Sequence, residues 1–123
     1  MSREYTEGRV PLAGIAPALY ECQRLLVVAR AAGVPVFVIV HHARPGGALF
    51  DPGGRMVEIV PEIALGTADT LIVKGLPNAF AKTELERLLR ASGRNDLIVA
   101  GFATHMCVSA TVKAAVDLGY RPT

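Results

Sequence analysis

A cysteine, a lysine and two adjacent histidines have the residue types and the positions to do chemistry in this chain. Cys107 follows a short apolar run, Leu97–Ala100, and a turn that contains Gly101. Apolar residues recur at helical spacing from Val108 onward, which predicts a helix that opens at Cys107. First-turn amides of a helix lack partners within the helix, so they favour a thiolate and can receive an oxyanion. The alternative is that Cys107 is a small buried hydrophobe.

Lys74 ends a second apolar strand, which the sequence predicts over Asp69–Lys74. A lysine at the end of a strand commonly marks the point where the chain reaches water. A cation beside a thiol, however, stabilises the thiolate by Coulomb attraction and can move protons during acyl transfer. The pairing of Lys74 with Cys107 therefore indicates nucleophilic chemistry more strongly than either residue alone.

His41 and His42 follow another predicted strand, Val34–Val40. Adjacent residues of a strand face opposite sides, so these two imidazoles cannot bind one ion together. No Asp precedes them at a suitable spacing, and we expect no metal and no cofactor. His42 is expected either to line a substrate pocket or to serve the structure alone. Cys22 lies among leucines at helical spacing, which predicts a packed and inert thiol.

The elements that must position these residues alternate between helices and strands. Helices are predicted over residues 15–32, from Thr83 to Gly93 and from Cys107 to Gly119, and strands over residues 34–40, 69–74 and 97–101. A Gly- and Pro-rich segment over residues 43–55 is long enough to be a functional lid. This alternation predicts one α/β domain, residues 1–123, with a parallel sheet. In such sheets the chemistry gathers at the carboxyl ends of the strands.

Composition limits the partners of the chain. It has 123 residues, 13 of them Lys or Arg and 11 Asp or Glu, and its net charge is +2. The basic residues are scattered, so we expect no nucleic-acid partner. No apolar run has the length of a membrane span and the first residues do not form a signal peptide, which predicts a cytoplasmic protein with no membrane partner.

Two stretches resemble a known family. Residues 74–89, KGLPNAFAKTELERLL, and residues 97–111, LIVAGFATHMCVSAT, are similar to the isochorismatase-like cysteine hydrolase superfamily, which includes nicotinamidases and N-carbamoyl amidohydrolases. The resemblance covers nearly the whole chain. It implies a Rossmann-like fold with three layers, in which a doubly wound parallel sheet has helices on both faces.

The resemblance also implies roles for individual residues. Cys107 would be the nucleophile and Lys74 the lysine of an Asp-Lys-Cys triad. A cis peptide bond is implied between Phe102 and Ala103, and the amides of Ala103 and Cys107 would form an oxyanion hole. With His42, two residues of the loop after Lys74 are candidates for the pocket of a small-molecule substrate: Asn78 and Phe80.

The start and the end of the chain depart from the family pattern. The triad Asp should end a first, central strand, but the first Asp of this sequence is Asp51. The strand and the C-terminal strands are therefore expected to be missing, as in a chain truncated at both ends. Exposed sheet edges predict a homo-oligomer, with strand exchange as one route to it. Glu4 and Glu7 could replace the base, but we expect both to be solvated loop carboxylates.

Two functions follow from these observations. The first is a cysteine hydrolase that acts on a small amide or related acyl substrate through a Cys107 thioester. The alternative is a non-catalytic remnant of the family that serves as a binding or assembly module, which the missing strand favours. Cleavage of the isochorismate ether is disfavoured, because the enzymes that perform it need no cysteine nucleophile.

Overall fold

The computed structural model describes all 123 residues, which divide into two compact units, Met1–Val73 and Lys74–Thr123. The first unit contains helix α1, Ile15–Ala31, strand β1, Phe37–His41, and strand β2, Thr70–Lys74, whose last residue begins the second unit. β1 and β2 pair in a two-stranded sheet. Single 3-10 turns are formed by Arg3–Tyr5, Arg55–Val57 and Pro61–Ile63.

The core of the first unit comes from one face of each element. In β1 the buried side chains alternate, and Val38 and Val40 point inward, as the period of two in a strand requires. α1 buries Leu19 and begins after Gly14, whose φ of 67° suits glycine. Further buried apolar residues come from the other segments: Val57, Val60, Ile63 and Ile72.

The second unit contains helix α2, Leu85–Ala91, strand β3, Asp96–Leu97, a π-helical turn, Thr104–Val108, helix α3, Ser109–Asp117, and strand β4, Arg121–Pro122. β3 and β4 are parallel neighbours, with Asp96 opposite Arg121 and Leu97 opposite Pro122. Buried apolar residues from α2, α3 and the connecting segments form its core: Ala79, Leu85, Leu89, Ala103, Ala115 and Tyr120. None of the helices has the length and apolar character needed to cross a membrane.

Most predicted elements lie within a few residues of the observed ones, with two corrections. β3 is shorter than the predicted strand, although Val99 still donates a 2.8 Å hydrogen bond to the carbonyl of Thr123. The expectation that the C-terminal strands are all missing is wrong for β4, which pairs with β3 over two residues. The single domain and the homo-oligomer stay predictions.

Candidate active site

Lys74 and Cys107 come together in the second unit. The ammonium of Lys74 donates a hydrogen bond to the sulfur of Cys107, with 3.2 Å between Nζ and Sγ. It donates another to the carbonyl oxygen of Leu76, at 2.9 Å. Lys74 is only 5% exposed, whereas Cys107 is a half-buried free thiol. A cation at this distance attracts a thiolate more strongly than a neutral thiol.

The pattern of β2 explains how a lysine becomes buried at the end of a strand. Ile72 and Lys74 are buried, while Leu71 and Val73 between and before them are exposed. Because side chains alternate along a strand, Lys74 continues the buried face that Ile72 begins. A buried ammonium is stable only when polar atoms replace its water, and Leu76 and Cys107 supply such atoms.

Cys107 lies inside a π-helical turn, Thr104–Val108, and α3 begins after it at Ser109. The prediction that the helix opens at Cys107 is therefore wrong, because the π-helical turn begins three residues earlier and α3 begins two residues later. The carbonyl of Ala103 accepts hydrogen bonds from the amides of Met106 at 3.1 Å and Val108 at 3.3 Å. These amides on either side of Cys107 are already paired, unlike the free first-turn amides that the sequence suggested. Single π-helical turns are frequent at functional sites.

The approach to this turn has an unusual backbone. The peptide bond between Phe102 and Ala103 is cis, at the position that the family resemblance implies. Gly101, immediately before it, has a φ of 144°, a conformation that glycine adopts without steric cost. The amides of Ala103 and Cys107 flank the same turn, and their role as an oxyanion hole stays a prediction.

Asn78 and Phe80, the predicted pocket residues of this unit, lie in a tight turn after Lys74. The side-chain oxygen of Asn78 accepts the amide of Phe80 at 2.9 Å. The ring of Phe80 stacks on Tyr120, with 6.0 Å between ring centroids and 19° between ring planes. These contacts give both residues a structural role, and their contact with a substrate stays a prediction.

Sequence reasoning missed Thr111, which is buried on α3 one turn after Cys107. Its hydroxyl oxygen accepts a hydrogen bond from the amide of Ala79 at 3.1 Å. The carbonyl of the same Ala79 accepts a hydrogen bond from the hydroxyl of Thr83 at 2.6 Å. Thr111 lies at helical spacing from Val108 and Ala115, and this was the available signal, because a buried hydroxyl needs a partner.

His41 and His42 belong to the first unit. β1 ends at His41, whose ring meets Phe50 edge-on, with 5.1 Å between centroids and 84° between planes. His42 follows the strand and is half-buried, and its role in a pocket stays a prediction. No three His, Cys, Asp or Glu side chains of the chain lie close enough together to hold a metal ion.

Glu4 contradicts the expectation of a solvated loop carboxylate. It is 2% exposed, and its carboxylate accepts the amides of Arg9 at 2.7 Å and Phe50 at 3.3 Å. Two backbone donors replace the water that a buried carboxylate loses. Glu7 does lie near the surface, where it pairs with Arg3. Glu4 is thus a structural link between two segments of the first unit.

Cys22 provides an internal reference for Cys107. It is also a free, half-buried cysteine, located on α1. Burial raises the pKa of its thiol above the ordinary value, the charge of the N-terminus opposes this, and the charge of Glu21 adds to it. A thiol of raised pKa holds little thiolate at neutral pH, which agrees with the predicted inert role.

Comparison with known proteins places this chain in a family. The family model described as Isochorismatase domain matches residues 1–123. The secreted isochorismatase effector Isc1 of Verticillium dahliae is 31% identical over 117 residues, which make up 95% of this chain and 62% of Isc1. The ureidoacrylate amidohydrolase RutB of Acinetobacter baylyi is 34% identical over 74 residues, 60% of this chain and 30% of RutB. An isochorismatase of known structure from Pseudomonas putida is 38% identical, with a TM-score of 0.93 over 98% of this chain and 62% of its own.

The chain thus spans less than two thirds of the length of these relatives. The predicted α/β fold of the isochorismatase type is confirmed by the likeness to the Pseudomonas putida structure. A cytoplasmic location stays a prediction, since Isc1 is described as secreted. Because the family model matches from the first residue to the last, the chain belongs to the isochorismatase family.

Proposed function

We propose that this chain is a cysteine hydrolase that cleaves a small amide or related acyl compound, with Cys107 as nucleophile and Lys74 as proton carrier. The 3.2 Å contact between Lys74 Nζ and Cys107 Sγ is the observation that supports it most directly. Membership of the isochorismatase family supports hydrolysis, and the name of RutB, an amidohydrolase, supports an amide as the bond that breaks.

In the first half of the reaction, the Cys107 thiolate attacks the carbonyl carbon of the substrate, and the carbonyl electrons move to oxygen. The amides of Ala103 and Cys107 would hold this oxyanion. When the carbonyl re-forms, the carbon–nitrogen bond breaks and the leaving amine takes a proton from the Lys74 ammonium. A thioester on Cys107, a free amine and a neutral Lys74 result.

In the second half, water attacks the thioester carbon and gives one proton to the neutral amine of Lys74. Collapse of the tetrahedral intermediate expels the Cys107 thiolate and releases a carboxylic acid, which loses its own proton to solvent. The ion pair of Lys74 and Cys107 is then restored. Every proton that moves within the site is carried by Lys74.

This assignment differs from the Asp-Lys-Cys triad of the family resemblance. The first Asp of the sequence is Asp51, and its carboxylate accepts the amides of Gly46 and Gly53 within its own loop. Glu4 is likewise bonded to backbone amides. The proposal gives the proton to Lys74 because Lys74 contacts the sulfur directly.

Alkylation of the two cysteines tests the activated thiol. The unaltered chain is treated with iodoacetamide between pH 5 and pH 10, and labelling of each cysteine is followed by mass spectrometry. Cys107 is expected to react at least about tenfold faster than Cys22 at neutral pH, because its sulfur accepts a hydrogen bond from a cation, whereas burial raises the pKa of the Cys22 thiol. Equal, slow labelling of both thiols would contradict the proposal.

Turnover separates the hydrolase from a binding module. A panel of small amides, including N-carbamoyl and ureido compounds, is assayed with the unaltered chain and with Cys107→Ser. Release of amine and carboxylic acid by the unaltered chain alone, and a Cys107 acyl adduct seen by mass spectrometry, are expected. Rapid labelling of Cys107 without turnover of any amide would instead favour the non-catalytic module, in which the site binds a partner.

A further inference from the structure

We infer that Thr111 is a positioning residue that keeps Lys74 against Cys107 by fixing the loop between them. We call residues 75–83 the lysine loop. The inference rests on the proposed function, since it concerns the same pair of reacting groups. It adds a residue that acts on this pair through its hydrogen bond with the backbone of Ala79.

The lysine loop carries one of the groups that hold the ammonium. Leu76 lies two residues after Lys74, and its carbonyl accepts a hydrogen bond from Nζ at 2.9 Å. The same Nζ donates to Cys107 Sγ at 3.2 Å. The place of Nζ relative to the sulfur therefore depends on where the lysine loop lies relative to the helix that follows Cys107.

One buried hydrogen bond ties this loop to that helix. The amide of Ala79, which is 1% exposed, donates to the hydroxyl oxygen of Thr111 at 3.1 Å. Thr111 lies four residues after Cys107, on the first turn of α3, and residues four apart are neighbours on one face of a helix. The bond thus joins the helix that directly follows the turn of Cys107 to the loop that orients the ammonium.

Loss of this acceptor would release the loop. A buried amide without a partner is costly, so the backbone at Ala79 would move toward another acceptor or toward water. Leu76 lies only three residues away along the same loop. A displacement of its carbonyl would pull Nζ from the sulfur, and small misplacements of reacting groups reduce rates strongly.

Thr83 offers a matched comparison, because its hydroxyl is bonded to the same Ala79 and to α2. Its hydroxyl donates to the carbonyl of Ala79 at 2.6 Å and accepts the amide of Leu85, at the start of α2, at 3.2 Å. Thr83→Val removes a hydrogen bond to the same backbone residue as Thr111→Val does. Only the second change cuts the link to the helix that follows Cys107.

The test compares Thr111→Val, Thr111→Ser and Thr83→Val with the unaltered chain. The rate of Cys107 alkylation by iodoacetamide is measured from pH 5 to pH 10, with Cys22 in the same sample as reference. His105 lies on the turn of Cys107 and Lys74 lies beside it, and both titratable groups are present in every variant. Stability is followed by urea denaturation, and turnover is followed where a substrate has been found.

We expect Thr111→Val to slow Cys107 alkylation at neutral pH and to reduce kcat, each by about tenfold or more, and to displace the pH profile toward higher pH. Thr111→Ser, which keeps the oxygen, is expected to react like the unaltered chain. Thr83→Val is expected to lose stability without a change in the pH profile. A folded Thr111→Val chain whose profile matches that of the unaltered chain would overturn the inference.

Two further outcomes of this test lead to different conclusions. If Cys107 of the unaltered chain reacts no faster than Cys22, the proposed function itself fails. If Thr111→Val does not fold, hydrogen exchange of the Ala79 amide in the unaltered chain decides instead. Slow exchange, comparable to that of the buried amides of α3, is expected, and fast exchange would show that no bond to Thr111 fixes the loop.

Discussion

Glu4 and Lys74 are the two buried residues with charged side chains, one in each compact unit, and their partners differ in kind. Glu4 is 2% exposed and Lys74 is 5% exposed. The carboxylate of Glu4 accepts the backbone amides of Arg9 and Phe50. The ammonium of Lys74 donates to one carbonyl and to the sulfur of Cys107.

This difference shows what burial of a charge can and cannot indicate. Taking either charge out of water costs free energy that only close polar partners can offset. Backbone amides fix a carboxylate and hold a fold together, but they do no chemistry themselves. A sulfur next to an ammonium can become a nucleophile. The identity of the partner atom, rather than the burial, distinguishes the candidate active site from the scaffold.

Replacement of Lys74 by Met should give the largest effect of the changes considered. The variant keeps a flexible apolar stem and removes the ammonium from the sulfur of Cys107. We expect turnover to fall by about 10²- to 10⁴-fold, the usual contribution of general acid–base catalysis, and Cys107 alkylation at pH 7 to fall by at least about tenfold. Stability should be unchanged or higher, because no charge is buried. Amide hydrolysis, iodoacetamide labelling and urea denaturation measure the three quantities.

The control for this variant is Lys113→Met on the exposed face of α3. It removes the same charge from the second unit, away from any buried contact. Its labelling rate and turnover should match those of the unaltered chain. Equal losses in both variants would mean that net charge, and not the contact with Cys107, determines reactivity.

Replacement of Glu4 by Gln should have the opposite effect, a loss of stability without a change in the reactivity of Cys107. The amide group of Gln keeps the shape but turns one acceptor oxygen into a donor, which then faces a backbone N–H. We expect the free energy of unfolding to fall by about 1.5–3 kcal/mol, with no change in Cys107 labelling. Urea denaturation and iodoacetamide labelling of the same samples test both statements. Glu7→Gln, at the exposed neighbour, should change stability by less than about 1 kcal/mol.

Sequence patterns could locate Lys74 and Cys107, because both follow from local signals. The β-branched and apolar run before Lys74 defines a strand end, and the apolar spacing from Val108 defines a helix. The same signals missed the π-helical turn over Thr104–Val108, since its residues carry no periodic pattern. Backbone hydrogen bonds to the carbonyl of Ala103 determine that turn, and no side-chain periodicity records them.

Contacts over long sequence separations explain the other failures. Glu4 was expected to be solvated because its neighbours in sequence are polar, but Phe50, one of its partners, lies 46 residues away. Thr111 and Ala79 are 32 residues apart. Neither link can be predicted from composition or spacing, because each depends on how loops fold back onto an element. The family resemblance supplied the cis peptide position, which no local rule indicates.

Asp69, a half-buried residue of the first unit, extends the comparison to an acid whose partner is a cation. Its side chain is 2% exposed and pairs with Arg30, whose side chain is 34% exposed. The amide of Gly66 also donates to it, at 2.8 Å. The hydrogen bond from Arg30 is the main cause that lowers the pKa of Asp69 below its usual value of 3.8, and burial opposes it. The ion pair should therefore stabilise the first unit only while Asp69 is ionised.

We expect Asp69→Asn to lower the free energy of unfolding by about 1–2 kcal/mol at pH 7. The folded pKa lies below the unfolded one, so this stabilisation is present above the unfolded pKa and is lost as pH falls through the folded pKa. The difference between the two proteins should thus be full at pH 6 and decrease below a pH of about 4. Urea denaturation at several pH values measures it, and a difference that stays constant down to pH 2.5 would contradict the ionic role.

Tyr120 is a buried residue whose polar group has no partner, and its replacement should give the smallest effect on stability. It is 5% exposed, and its hydroxyl has no hydrogen-bond partner. Its ring stacks on Phe80 and lies under the guanidinium of Arg90, 5.8 Å from the ring centroid.

Tyr120→Phe keeps both ring contacts and removes the unpaired hydroxyl, so the free energy of unfolding should stay the same or rise by about 1 kcal/mol. Tyr20→Phe, at an exposed ring on α1, is the control and should leave stability unchanged. Urea denaturation of both variants measures these changes in the free energy of unfolding. A loss of more than about 1 kcal/mol in Tyr120→Phe would mean that the hydroxyl has a partner in solution, such as a bound water. In that case Tyr120 would resemble Glu4, as a buried polar group whose partner holds the scaffold together.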